Sequence, residues 1–144
     1  MLDLQILNDY TIAGSFYYKP EHNLKETCNA PKDASGVYIV FSVKNGTEEI
    51  IYIGSSGKMK QNGNLSTRKG GIKQRIVYGH QFGEKRIISW KKQMTKNDIP
   101  ELKVSWWITH NDQSMKHIPK YTEALLLQKY YEDYGKLPLW HKEY

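Results

Sequence analysis

Cysteine is almost missing from this chain: Cys28 is the only one among 144 residues. No internal disulfide can form, and no cysteine cluster can hold a metal. Long apolar runs are missing too. None approaches the ~18 residues that cross a bilayer, so no membrane partner is expected. The opening MLDLQILNDY carries Asp3 early and no basic stretch, unlike a secretory signal. Together these features give a cytoplasmic expectation. There is no internal repeat and no low-complexity segment. No Ser/His/Asp nucleophile set is evident, and no glycine-rich loop ends in Lys-Ser/Thr.

Acid is scarce in one segment. Residues 58 to 96 contain eleven Lys or Arg and one acid, Glu84, a net of +10, whereas the whole chain is +6. A concentrated basic segment on a near-neutral body fits a polyphosphate partner, and nucleic acid is the expected one. The plainer alternative is a solvated basic surface.

The chain is rich in tyrosine, with eleven. Two of them sit in near-matching tripeptides, Gly36-Val37-Tyr38 and Tyr52-Ile53-Gly54. Val37 to Val43 and Ile50 to Ile53 are rich in β-branched and aromatic residues, as strands are. Between them Asn45-Gly46 signals a type I′ hairpin, whose two turn residues both need φ > 0. A turn centred there sets Tyr38 roughly opposite Ile53, with Tyr52 about one residue from facing Tyr38.

The length suits one domain, residues 1 to 144. Residues 1 to 35 carry Pro20 and Pro31 and no interpretable motif, and a short strand or helix pieces joined by loops are expected there. They are expected as an extension packed on a 36–144 core. Residues 55 to 71 are polar and glycine-rich and read as a long loop. Ile72 to Tyr78 reads as a helix stopped by Gly79, and Glu84 to Met94 as a second. Leu102 to Ile108 reads as a third strand, residues 109 to 117 as a polar loop, and Ile118 to Tyr134 as the longest helix, closed by Gly135. The fold class expected is α+β: a small three-stranded, mainly antiparallel sheet flanked by helices.

Two charges stand where apolar residues belong. At about 100° per residue, Leu126, Leu127, Tyr130 and Tyr134 all fall within about 60° of Glu123. A carboxylate on that stripe needs a cation, a metal or several donors. A buried salt bridge and a tyrosine hydrogen bond are the structural alternatives. Arg75 borders the apolar face of its helix, either packing its stem with its head in water or serving a site. Trp106 and Trp107 are adjacent in a strand, so they face opposite sides; the outward one either stacks on a base or packs under a helix, and packing is the favoured role. His110 and His117 flank a polar loop and read as solvated. Ser55 and Ser56 either bond a phosphate or satisfy the loop backbone.

The two tripeptides joined by a hairpin, then Arg75 in a helix, then Glu123 in a later helix, resemble the GIY-YIG nuclease family. The resemblance covers about residues 36 to 141. It implies a DNA endonuclease that hydrolyses phosphodiester bonds with a divalent cation, Mg²⁺ or another such as Mn²⁺. Tyr52 would take a proton from water, and Tyr38 would orient the water or the phosphate. Arg75 would bind that phosphate, and Glu123 would hold the metal. A free phenol has a pKa of ~10, so Tyr52 would need lowering by nearby positive charge such as Arg75 and Lys58. Lys58, Arg68, Lys69, Lys73 and His80 would contact nucleic acid. The sequence departs from the family pattern in three places. Val37 stands for isoleucine. The Tyr52-to-Arg75 loop is long, similar to the restriction-enzyme branch. His141 follows Pro138 where members often carry asparagine; it could still donate a hydrogen bond in support of the site, or the change supports an alternative, a catalytically inactive nucleic-acid-binding module. Palindromic cleavage would need a homodimer.

Overall fold

The computed structural model describes residues 3–66, 70–111 and 116–144. After a 3-10 turn at Gln5–Asp9, the elements run β1 (Ala13–Tyr18), α1 (Leu24–Thr27), β2 (Ser35–Lys44), β3 (Thr47–Ser56), β4 (Lys58–Met59), β5 (Leu65–Ser66), α2 (Gly71–Tyr78), β6 (His80–Gln81), β7 (Glu84–Lys85), α3 (Arg86–Lys96), β8 (Glu101–His110) and α4 (Pro119–Tyr134). The class is α+β, and the main sheet is antiparallel with strand order β1-β8-β2-β3.

This sheet has four strands, not the three expected. The extra strand is β1, which pairs Ala13 to Tyr18 against Trp107 to Leu102 of β8. Residues 13 to 18 are therefore integral to the sheet rather than an added extension. A short strand was among the elements expected here, but it begins Ala-Gly-Ser, residues with little β preference, which hides its bounds from a propensity reading.

The hairpin forms with Asn45 at φ 53° and Gly46 at φ 76°. Its register follows the turn only as far as Phe41 opposite Ile50; beyond that Val40 faces Tyr52 and Tyr38 faces Gly54, not Ile53. Ile51 is the extra residue of a β-bulge. Strand faces alternate, so a one-residue shift exchanges them. With no bulge Tyr52 would point away from Tyr38. The bulge turns both tyrosines to one face.

That face carries Tyr38, Val40, Ile51, Val104 and Trp106, packed under Ile72 and Ile76 of α2 and Trp90 and Met94 of α3. The opposite face carries Val37, Ile39 and Ile53 against Leu126 and Leu127 of α4 and Leu7. Trp106 and Trp107 divide between the two faces, and the Trp106 indole N–H donates to Asn29 Oδ1 at 2.8 Å.

α3 starts at Arg86, two residues later than expected. Phe82 (φ 59°) and Gly83 (φ 86°) form a second tight turn, so Glu84 and Lys85 are strand. The 55–71 segment is not all loop: β3 runs to Ser56, and β4 pairs with β5. α4 opens on Pro119 and ends at Gly135, which has φ 70°. Among the described residues no helix is long and apolar enough to cross a membrane.

Candidate active site

The tyrosines meet over the edge of the sheet. Tyr38 is 0% exposed and Tyr52 is half-buried, with ring centroids 6.2 Å apart. Gly54 makes this possible. A Cβ added there would stand 2.5 Å from Tyr38 Cζ and Oη and 2.9 Å from Tyr52 Cε2. Gly36 has a different reason: a Cβ there would collide with the Trp107 carbonyl of β8.

A cation lies beneath both rings, and it is not the one expected. Arg86 is 0% exposed. Its guanidinium carbon is 5.4 Å from the Tyr38 centroid, 5.3 Å from that of Tyr52 and 5.7 Å from that of Trp90. Desolvated contacts of this kind are favourable because the ring faces are negative. Arg86 Nε donates to Gln81 Oε1 at 2.9 Å, and Nη1 donates to the Arg75 carbonyl at 2.8 Å. Nη2 is buried with no hydrogen-bond partner among the described residues. The β6–β7 hairpin thus supplies Gln81 as a clamp, which also accepts from the Trp90 indole at 2.9 Å. The sequence held a signal for this. Arg86, Trp90 and Met94 recur at four-residue spacing, one face of a helix. Within the basic segment, Arg86 instead reads as one more solvated charge.

Glu123 is 4% exposed on α4. Its Oε2 is buried with no hydrogen-bond partner among the described residues; the exposed Lys120 Nζ stands 3.6 Å away. A carboxylate oxygen in that state is unsatisfied. Among the described residues no cluster of three or more His, Cys, Asp or Glu gathers. Mg²⁺ does not require one, because it binds through one or two carboxylates and fills its shell with water and phosphate oxygens. Glu123 therefore fits such a cation by donor chemistry.

His141 joins the cluster through the tail after α4. Its ring stacks on Tyr52, centroids 4.3 Å apart and planes 10° apart. Its Nε2 accepts the Ile53 N–H at 3.1 Å, and the Trp140 N–H donates to the Ile51 carbonyl at 2.8 Å. The tail thus pairs with the outer edge of β3 on both sides of Tyr52. Accepting at Nε2 assigns the proton of the neutral ring to Nδ1.

The electrostatics correct one expectation. Arg86 and Arg75 do pull the Tyr52 phenol down, but burial, with Tyr38 adding to it, outweighs them and pushes it up to about 12. Tyr52 is protonated at neutral pH. Burial also lowers His141 below its ordinary 6.5. A lowered histidine contributes its stability above the unfolded value, where both states are neutral. As pH falls through 6.5 toward the lower folded value, the unfolded chain takes a proton that the folded chain refuses, and that stability is lost. Thermal melts between about pH 8 and 5 are expected to show this acid-side loss, and His141→Asn is expected to flatten it. An unchanged slope in the variant would assign the loss to other groups.

Tyr38, Tyr52, Glu123 and His141 therefore come together, and Arg75 contributes through its carbonyl on Arg86 and its charge near Tyr52. The Arg75 side chain also lines a cleft shared with Lys58. Lys73 is two positions from Arg75 on α2, which at about 100° per residue puts it on the far side of that helix. His80 is exposed on β6, adjacent to the inward Gln81, so strand alternation turns it away. Arg68 and Lys69 lie outside the described residues. His117 is engaged elsewhere, 2.8 Å from the Tyr10 hydroxyl.

No protein-family model matches the chain, and neither the curated proteins nor the solved structures offer a match.

Proposed function

We propose that this protein is a divalent-metal-dependent endonuclease that hydrolyses DNA phosphodiester bonds, as its GIY-YIG-like motifs suggest. One observation carries the reading. A buried carboxylate with an orphaned oxygen shares a site with two tyrosines, a buried arginine and a basic cleft. Within this cluster Tyr38 Oη, Arg86 Nη2 and Glu123 Oε2 are buried without a hydrogen-bond partner among the described residues. Phosphodiester hydrolysis needs a water oriented for attack, positive charge at the phosphoryl oxygens and support for the leaving oxygen.

Arg75 reaches the cleft and would bind the phosphoryl oxygens with its planar fork. Tyr38 and Tyr52 would orient the water. The proton then passes from the water oxygen to Tyr52 Oη in the fraction of molecules where that phenol is ionised, and the neighbouring Arg86 charge favours that fraction. Held by Glu123, a divalent cation would polarise the phosphoryl group and stabilise the leaving 3′ oxygen. The products would be a 5′ phosphate and a 3′ hydroxyl. A binding module without hydrolysis is the second reading, and the raised Tyr52 phenol is what favours it.

Tyr52→Phe tests the assignment. Removing a positioned acid–base group costs about 10²–10⁴-fold in rate. The parent rate is expected to rise with pH from neutrality toward 12, because the ionised phenol becomes more abundant. The variant is expected to lose both the rate and that rise. Equal plasmid nicking by parent and variant across pH would remove Tyr52 from the chemistry.

A further inference from the structure

The cleft that Arg75 enters has a feature that hydrolysis at the tyrosines does not use. It is lined by Ser55, Ser56, Lys58, Ser66, Arg75 and Lys120, and none of the described residues lining it is acidic. Ser55 is 9% exposed and Ser56 4%. Both hydroxyl oxygens are buried with no hydrogen-bond partner among the described residues. Buried hydroxyls are almost always paired, so two unpaired ones on neighbouring residues that line one cleft need a reason.

Strand geometry explains how they reach the same place. Ser55 lies opposite Val37, on the α4 side of the sheet, and Ser56 lies opposite Gly36, on the α2 side. β3 is the outer strand of the sheet, so a cleft at its end can draw on both faces. The α4 side contributes Lys120, whose Nζ is 3.6 Å from Glu123 Oε2. The α2 side contributes Arg75. Two hydroxyl-bearing residues and three cations lining one cleft supply the donors and the positive charge that a phosphoryl group binds.

We infer that this cleft is a phosphate-binding subsite in which Ser55 and Ser56 donate to the phosphoryl oxygens of a nucleic-acid strand and Lys58 and Lys120 balance its charge, next to the phosphate that Arg75 would bind. The inference deepens the nuclease reading by specifying how the strand is gripped beside the reacting bond. Two sources supply this chemistry, an internal phosphodiester and a terminal 5′ monophosphate.

The test is fluorescence anisotropy with a short single-stranded DNA labelled at its 3′ end, in EDTA so that nothing is cut. Ser55→Ala and Ser56→Ala are each expected to weaken binding about tenfold, the effect of losing one charge-assisted hydrogen bond. Neither lowers the melting temperature, because neither removes a partner. Lys58→Gln, at an exposed position, is expected to weaken binding and to reduce the salt slope by about 0.7. A greater loss with 5′-phosphorylated than with 5′-hydroxyl DNA identifies the terminal group. Equal losses identify the internal diester. Unchanged DNA binding in the serine variants, with or without a fall in melting temperature, overturns the subsite. The assay contains no metal, so it fails separately from the nuclease reading. Serine-dependent binding by a parent that cuts nothing in Mg²⁺ would keep the subsite and discard the nuclease.

Discussion

Glu123→Gln is expected to leave the protein folded and bound to DNA while reducing Mg²⁺-dependent cleavage by about a thousandfold or more. The rate loss follows from the size of the contribution assigned to the metal. Lewis-acid stabilisation supplies several kcal/mol, and each ~1.4 kcal/mol is tenfold in rate. The stability argument runs the other way. Glu123 is 4% exposed and its Oε2 has no hydrogen-bond partner among the described residues. Among the described residues its one ion-pair neighbour, Lys120, is mostly exposed at 3.6 Å, a geometry that contributes little, and the Tyr144 hydroxyl that donates to the carboxylate can donate equally to the amide oxygen of the variant. Replacing a buried charge with one unsatisfied oxygen by a neutral isostere that still accepts from Tyr144 is neutral or stabilising. The variant should therefore melt at or above the parent temperature, as followed by circular dichroism, and bind DNA in EDTA as the parent does. A melting temperature several degrees lower would show that the carboxylate is a structural group.

Gly54→Ala is the second large effect, and it acts on fold and site together. The new methyl would stand 2.5 Å from Tyr38 Cζ and Oη, atoms of a ring with no solvent exposure. The ring cannot swing outward, because Arg86 and Tyr52 pack against it. Overpacking of this kind costs about 1–3 kcal/mol. Small displacements of catalytic groups also cost about a hundredfold in rate. Urea unfolding and plasmid nicking measure the two losses. Parent-like values in both would mean that Tyr38 and Tyr52 tolerate displacement and that their apposition is incidental.

How much of this was legible follows from what each signal depends on. Asn45-Gly46 gave the hairpin because the turn's positive φ angles are a local demand. Glu123 was legible because helical periodicity is local too, and one carboxylate on an apolar stripe stands out. The bulge at Ile51 was not legible. Its edge is taken up by the tail, whose Trp140 backbone N–H and His141 Nε2 bond β3 from far along the chain, 88 residues between Ile53 and His141, contacts that no local pattern announces. Yet the bulge decides whether Tyr38 and Tyr52 share a face. Arg86 was obscured by its own neighbourhood, one base among eleven. Its burial depends on Gln81 and on the Arg75 carbonyl, contacts that only the folded chain creates. A short strand was expected near the start of the chain, but the place of β1 in the main sheet was not legible because its pairing with β8 spans most of the chain. Tyr52 shows the limit of charge counting. The nearby arginines act in the expected direction, and burial outweighs them.

The central claim is that this buried cluster hydrolyses phosphodiester bonds with a divalent cation. The most direct measurement is incubation of the unmodified protein with supercoiled plasmid, in Mg²⁺, in Mn²⁺ and in EDTA, with the topological forms separated by gel. The account expects conversion to nicked or linear DNA with either metal and none in EDTA. Intact supercoiled DNA in both metals, under conditions where the protein demonstrably binds it, would contradict the claim and leave the binding module in its place.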